Sequence, residues 1–150
     1  MAEEVRIAAA IDVGSNSVHL PLAELGGEVL RDESELLGLG AMVDIEGFIP
    51  EDGLAAMVHV LTRYVNEATE AGAEWITLAA TEPLRRASNR TIARAAVLAA
   101  TGLELHVLSH EDEALLTVLG VLDGEPAAEP TMVLDIGAVS YTHLRAHETF

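Results

Sequence analysis

The sequence predicts an α/β fold in which a mixed sheet is covered by helices on both faces. Apolar runs of strand length alternate along the chain with segments whose apolar residues recur at helical spacing. The first three strands are separated only by short turns. A meander followed by alternating helices and strands combines antiparallel and parallel pairing in one sheet, which helices must then cover.

The first forty residues predict a meander of three antiparallel strands. The turns between the apolar runs are Ser15-Asn16-Ser17 and Gly26-Gly27, which are typical turn residues. Pro21 fits poorly, because proline has no N–H to donate to a ladder and normally lies at edges or bulges. The three apolar runs cover residues 6–13, 18–25 and 28–37.

Beyond the meander, helices and short strands alternate. Residues 38–53 predict a loop whose last residues, Pro50-Glu51-Asp52, begin a helix. Ser109 and Asp112 form a capping box that begins the last helix. The other elements, in order, are a helix ending at Gly72, a strand at 75–80, a helix at 88–102, a strand at 103–108 and, after the last helix, a strand at 131–137.

The composition is that of an ordinary globular protein. Of 150 residues, 50% are hydrophobic and 22% charged, which argues against general disorder. The absence of cysteine excludes disulfides, thiolate zinc sites and cysteine nucleophiles. The first residues lack the pattern of a secretory signal, and no apolar run reaches the roughly 18–20 residues of a membrane span. We therefore expect a soluble, cytoplasmic protein that does not bind membranes.

The charge is strongly negative. The sequence has 25 acidic and 8 basic residues, all of the latter arginine, for a net charge of −17. Such a surface repels DNA and RNA, and the few scattered aromatic residues offer no surface on which bases could stack. We expect no nucleic-acid partner. Any other polyanion would need metal ions or a local arginine cluster to bind here.

Two segments of the sequence resemble each other. Residues 9–14 (AAIDVG) and 132–137 (MVLDIG) are both apolar strands that end in Asp, a β-branched residue and Gly. A glycine lets backbone N–H groups approach a phosphate, and an aspartate can hold a hydrated Mg²⁺ beside it. The repeat therefore favours two hairpins that hold a phosphate chain from opposite sides.

Four stretches of the sequence, taken in order, resemble the exopolyphosphatase/guanosine pentaphosphate phosphohydrolase family of the actin-like ATPase superfamily. The first, with Asp12, Gly14 and Ser15-Asn16-Ser17, resembles the first phosphate loop of that family. The others are residues 80–89 (ATEPLRRASN), residues 108–114 (LSHEDEA) and residues 133–137 (VLDIG), which resembles the start of the second phosphate loop. Together they extend over residues 5–137.

The resemblance implies an RNase H-like, actin-type domain and a Mg²⁺-dependent phosphohydrolase. The substrate would be inorganic polyphosphate or guanosine pentaphosphate, from which terminal phosphate is released. Glu113 matches the catalytic glutamate that deprotonates the attacking water, and Asp12 and Asp135 would hold the metal. The remaining matching positions would contact phosphate: Gly14, Ser15, Asn16, Ser17, Arg85 and Gly137.

Members of that family have two actin-like domains, so this chain resembles only part of one. We expect a first domain at 1–122, a linker at 123–130, the first strand of a truncated second domain at 131–137 and a non-native tail at 138–150. The tail replaces the Gly-Gly-Ser-Thr-Glu continuation of the family's second loop. We expect the fragment alone to be inactive, and a homodimer of the full-length protein stays open.

Simpler interpretations exist for several of these residues. Asn89 is either a helix cap or a site residue, and acidic residues at 111–113 also stabilise a helix N-terminus. We assign Arg86, Arg90 and Arg94 to a solvated helix face.

Two other functions fit the same sequence. One is an ATP-binding domain like those of actin or sugar kinases, and the other is a non-catalytic regulatory domain that binds nucleotide alarmones.

Overall fold

A computed structural model of the chain describes residues 5–122, 132–136 and 141–145. The chain divides into two compact units, Met1–Val107 and Leu108–Phe150. The domain boundary expected after residue 122 and the linker at 123–130 stay predictions, since residues 123–131 lie outside the described part of the chain.

The first unit contains a five-stranded mixed sheet with the strand order β3-β2-β1-β4-β5. Strands β1, β2 and β3 form the predicted antiparallel meander, while β4 pairs in parallel with β1 and β5 in parallel with β4. The strands are β1 (Ile7–Val13), β2 (Ser17–Glu24), β3 (Val29–Leu36), β4 (Trp75–Ala80) and β5 (Leu105–Val107).

Pro21 lies in β2, between β1 and β3, where a proline is unusual. It pairs with Asp32 on the β3 side. On the β1 side, the ladder runs through the pairs Ala9–Leu22 and Asp12–His19 but is interrupted between them, opposite Pro21. The missing N–H of proline explains this interruption, because the ladder lacks a donor at that position.

Four helices belong to the first unit: α1 (Leu39–Glu46), α2 (Glu51–Glu70), α3 (Glu82–Arg86) and α4 (Arg90–Thr101). The prediction of a loop over 38–53 was wrong, because α1 lies within it. This helix has eight residues between two glycines in the left-handed conformation, Gly38 and Gly47, and it buries only three residues. So short a helix leaves little apolar periodicity in the sequence.

The helix predicted from about Ser88 begins at Arg90 instead, and the five-residue helix α3 precedes it. A helix of five residues is only slightly longer than one turn, so periodicity could not reveal it.

The core lies between one face of the sheet and α2. Alternate residues of the central strands, such as Ile11, Leu20 and Leu78, are fully or almost fully buried there. The residues that alternate with them are small or polar, and Ala10 and Thr77 are exposed. The mixed sheet with helices is thus confirmed. The predicted helices on the second face of the sheet stay a prediction.

Ion pairs attach the edge strand β3 to α2. Arg31 Nη1 lies 2.6 Å from Glu67 Oε2, and Arg63 Nη1 lies 3.1 Å from Glu67 Oε1. Arg63 also pairs with Glu35 of β3. Charged residues on an edge strand oppose pairing with other chains, and each exposed pair adds only about 0–1 kcal/mol to stability.

The second unit contains α5 (His110–Val121) and an antiparallel pair of strands, β6 (Met132–Ile136) and β7 (Tyr141–Arg145). The predicted capping box is confirmed, since Ser109 Oγ accepts a hydrogen bond of 3.0 Å from the Asp112 N–H. The sequence pattern of 138–150 predicts no element, but β7 lies there and pairs with β6.

No helix in the described part of the chain is long and apolar enough to cross a membrane.

Tyr64 of α2 is only 1% exposed, and this burial raises the pKa of its phenol. A raised pKa in the folded state means that the fold favours the neutral phenol. The stability that the neutral Tyr64 contributes is complete below the unfolded-state pKa of about 10 and is lost as the pH rises through the folded-state pKa. We therefore expect the free energy of unfolding to fall above about pH 10 in the wild type and to fall less in Tyr64→Phe. Urea unfolding between about pH 9 and 11 measures both slopes. Equal slopes in the wild type and Tyr64→Phe would contradict this.

Candidate functional site

The ends of β1 and β4 lie side by side. The two strands are parallel, with Asp12 opposite Ala79 and Val13 opposite Ala80. The turn 14–17 follows β1, and α3 follows β4. Thr81 joins the two ends, since its N–H donates to the Val13 carbonyl over 3.2 Å. The pairing thus brings the first two motifs of the sequence together at the carboxyl ends of parallel strands, where α/β folds commonly bind ligands.

The turn at residues 14–17 directs its carbonyl groups into the protein. Ser15 O accepts from the Gly40 N–H at 2.8 Å, and Asn16 O accepts from two N–H groups that follow β3. The Gly14 N–H is used within the turn, where it donates to Ser17 O at 2.9 Å. The N–H groups of Ser15 and Asn16 have no protein acceptor in residues 5–122. Adjacent N–H groups of this kind can bind an anion.

Glu82 is a residue of this site that the sequence did not single out. It is the first residue of α3 and only 7% exposed. Its Oε2 accepts a hydrogen bond of 3.0 Å from the Ser15 hydroxyl. The only available signal was its place inside the second motif, one residue after Thr81.

Asp12 is half-buried and is the next-to-last residue of β1, two positions before Gly14. No group of three or more His, Asp or Glu side chains able to hold a metal is found within the described ranges. Mg²⁺ commonly binds through one or two carboxylates, with water and substrate phosphate completing its shell. The half-buried Asp12 carboxylate, next to the turn at residues 14–17, is a ligand of the type that this ion prefers.

The arginines at 85–94 have different surroundings. Arg85 belongs to α3, and its Nε and Nη2 atoms are buried. Arg86 bonds to Asp44 and Glu82, and these hydrogen bonds raise the pKa of its guanidinium. Arg94 Nε donates to Leu105 O at 3.0 Å. Arg86, Arg90 and Arg94 are all exposed, as the prediction of a solvated face requires. Arg86 and Arg94 also bond to other elements, whereas Arg90 Nη1 donates to the nearby Arg85 O, at 3.3 Å.

Asn89 occupies the N-cap position of α4, but its side chain makes no cap hydrogen bond. Its amide instead bridges the backbone of Ile49, donating to the carbonyl at 2.8 Å and accepting from the N–H at 3.0 Å. Asn89 therefore fixes the chain between α1 and α2, which neither of its sequence-based interpretations anticipated.

The other predicted site residues belong to the second unit. Glu113 is half-buried in the first turn of α5, behind the Ser109 cap. Asp135 lies in β6 opposite Thr142. Gly137 and the Asp135 side chain lie outside the described residues. The structure thus brings Asp12, the turn and α3 together in one unit and places Glu113 and Asp135 in the other.

Gly40 approaches the turn too closely for a side chain. A Cβ atom there would lie 2.9 Å from Ser15 Cβ, closer than real contacts of this kind. We expect Gly40→Ala to displace Ser15, to cost about 1–3 kcal/mol of unfolding free energy, and to shift the NMR signals of residues 15–17. Gly120→Ala is the control, since Gly120 is exposed and, apart from its own helix backbone, no atom of the described residues lies within 4 Å of its Cβ position. A Gly40→Ala variant as stable as Gly120→Ala, with unchanged signals at 15–17, would contradict the close approach.

Asn89→Ala tests the bridge to Ile49. Ile49 is 1% exposed, so its N–H and carbonyl would lose their partners without gaining water. We expect a loss of about 1–3 kcal/mol in urea unfolding. The exposed Asn66→Ala should change stability by no more than about 0.5 kcal/mol. Equal effects of the two substitutions would mean that the bridge does not stabilise the fold.

Comparison with known proteins agrees with this geometry. The model of the Ppx/GppA phosphatase family matches residues 23–144. A guanosine-5'-triphosphate,3'-diphosphate pyrophosphatase of Pseudoalteromonas translucida is 29% identical, with 88% of this chain and 27% of that protein covered. Exopolyphosphatase 2 of Mycobacterium tuberculosis is 32% identical, with 88% and 46% covered.

A solved structure shows the same fold. The Ppx/GppA family member of Aquifex aeolicus matches with a TM-score of 0.86 and 27% identity, over 97% of this chain and 49% of that one. The predicted actin-like α/β class is thereby confirmed. This chain spans about half or less of the length of these relatives. Because the family model matches most of the chain, the chain belongs to the Ppx/GppA phosphatase family.

Proposed function

We propose that the protein to which this chain belongs is a phosphohydrolase that releases terminal phosphate from inorganic polyphosphate or guanosine pentaphosphate. The named relatives carry these two activities in their names. The observation that supports the proposal most directly is the turn after β1, whose Ser15 and Asn16 N–H groups have no acceptor within residues 5–122. A turn of this kind offers an acidic protein a place for a phosphate that does not depend on surface charge.

The proposed chemistry is in-line attack of water on the terminal phosphorus. Such transfers need little covalent participation from the protein, so positioning and electrostatic stabilisation account for most of the catalysis. In this proposal the turn N–H groups and Arg85 stabilise the charge on the transferring phosphoryl oxygens. Glu113 positions the water and accepts its proton, which requires an approach to within about 2.6–3.2 Å of that water.

Mg²⁺ is the proposed cofactor. Asp12 would hold it together with Asp135, and the ion would neutralise phosphate charge that the acidic protein would otherwise repel. The half-buried Asp12 carboxylate beside the turn supports its share of this assignment. Asp135 is proposed as a metal ligand only because residues 132–137 resemble residues 9–14.

The kinase-like and regulatory alternatives differ from the proposal in what happens to the phosphate. A kinase-like domain would transfer it to an acceptor other than water, and a regulatory domain would bind the nucleotide and leave it intact. Phosphate release by the full-length protein distinguishes these three functions. Whether the full-length protein forms a homodimer stays open.

The test is phosphate release from polyphosphate and guanosine pentaphosphate by the full-length protein and its Glu113→Gln variant. Removing a general base typically lowers the rate about 10²–10⁴-fold, and we expect a loss of that size in kcat. Glu111→Gln is the matched control, because Glu111 lies in the same first turn and is exposed. The 150-residue chain alone should release phosphate only at background rate. Full activity in Glu113→Gln would refute the assignment of the base, and an inactive wild type would refute the proposed function.

A further inference from the structure

Glu82 has the most buried charged side chain in the described part of the chain. Each of its carboxylate oxygens accepts a hydrogen bond: Oε2 from the Ser15 hydroxyl at 3.0 Å and Oε1 from Arg86. Arg86 in turn bonds to Asp44 of α1. A continuous series of hydrogen bonds therefore runs from the turn after β1 through α3 to α1.

The direction of the bond to Ser15 follows from its partners. A carboxylate can only accept hydrogen bonds, and a serine hydroxyl has a single proton. The Ser15 hydroxyl must therefore donate to Glu82, and it has no second proton for a phosphate oxygen. While this bond is present, Ser15 can offer a phosphate only its backbone N–H.

The backbone of Ser15 is hydrogen-bonded to the protein, as its side chain is. Its carbonyl accepts from the Gly40 N–H at 2.8 Å, and the absence of a side chain at Gly40 permits this approach. The next carbonyl, of Asn16, accepts from the N–H groups of Leu37 and Gly38, both at 2.9 Å. The hydroxyl and both carbonyls are thus occupied on the protein side, and the N–H groups of Ser15 and Asn16, which have no acceptor within residues 5–122, are left for a ligand.

We propose that Glu82 is a positioning residue of the phosphate site, acting through the Ser15 hydroxyl to hold the turn with its N–H groups available. Arg86 offsets the charge of this carboxylate, which would otherwise repel a phosphate close to the turn. The expected effect of Glu82 on KM rests on the function proposed above. The expected effect of Glu82 on the conformation of the turn is independent of that function.

The kinetic test is a double-mutant cycle in the full-length protein, with tripolyphosphate as substrate. The variants are Ser15→Ala, Glu82→Gln and the double variant, and exposed Glu70→Gln is the control for loss of one negative charge. An amide can accept at only one of its two positions, so Glu82→Gln cannot satisfy both Ser15 and Arg86. Each single variant should raise KM about tenfold, the value of one hydrogen bond to a charged group.

The decisive outcome of the cycle is the double variant. If Glu82 acts through Ser15, the double variant should show the same KM as Ser15→Ala, because the interaction is already lost. Additive increases in KM, or a wild-type KM in Glu82→Gln, would overturn the proposal. A purely structural role would lower stability without this non-additivity in KM.

A second measurement separates this proposal from the proposed function. The Gly40 N–H donates to Ser15 O, so its hydrogen exchange in the 150-residue chain reports whether the turn is held. Glu82→Gln and Ser15→Ala should each accelerate this exchange about tenfold, while the Gly47 N–H, bonded to Val43 O at the other end of α1, should be unaffected.

Unchanged exchange at Gly40 in both variants would overturn the positioning role, whatever the protein hydrolyses. Faster exchange in a full-length protein that hydrolyses no phosphoanhydride would support the positioning role and refute the proposed function. Ser15→Ala breaks the same bond from its less buried side, so the test does not depend on a stable Glu82→Gln variant.

Discussion

The parallel pairing of β1 with β4 is the interaction on which the candidate site depends. It aligns Val13 with Ala80, so the turn after β1 and the helix after β4 begin at the same edge of the sheet. Thr81 then bonds to Val13, and Glu82 to Ser15. Two motifs separated by more than sixty residues of sequence become neighbours through this one ladder. The core beneath it, which includes Ile11 and Leu78, keeps the two strand ends in place.

The charge of the protein bears on how such a site can work. A net charge of −17 repels phosphate, yet much of the negative charge near the sheet edge and α2 is paired with arginine. Arg86 likewise forms ion pairs with Glu82 and Asp44 near the turn. The phosphate donors that we propose at the turn are backbone N–H groups, whose partial charge does not depend on the charge of the surface. An acidic protein can therefore present a small anion site without a basic patch.

The residues proposed for chemistry are divided between the two units of the chain. Asp12, the turn and Arg85 belong to the first unit, while Glu113 and Asp135 belong to the second. The position of Glu113 agrees with the sequence prediction, since the Ser109 cap places it in the first turn of α5. This division matches the resemblance of residues 9–14 to residues 132–137, one motif in each unit.

Local patterns in the sequence determined the strands, the long helix α2 and the capping box of α5, because each depends on residues close together in the chain. The family motifs are local in the same sense. The order of these elements predicted the mixed α/β sheet, and the resemblance of the motifs to a known family predicted the actin-like class. The tertiary structure alone decided the elements and contacts that lack such a pattern. Helices α1 and α3 are too short for periodicity, and the bonds of Asn89 to Ile49 and of Glu82 to Ser15 join residues 40 and 67 positions apart. The Glu82 carboxylate contacts the turn after β1 only because the fold brings it there, and no local sequence pattern around Glu82 predicts that contact.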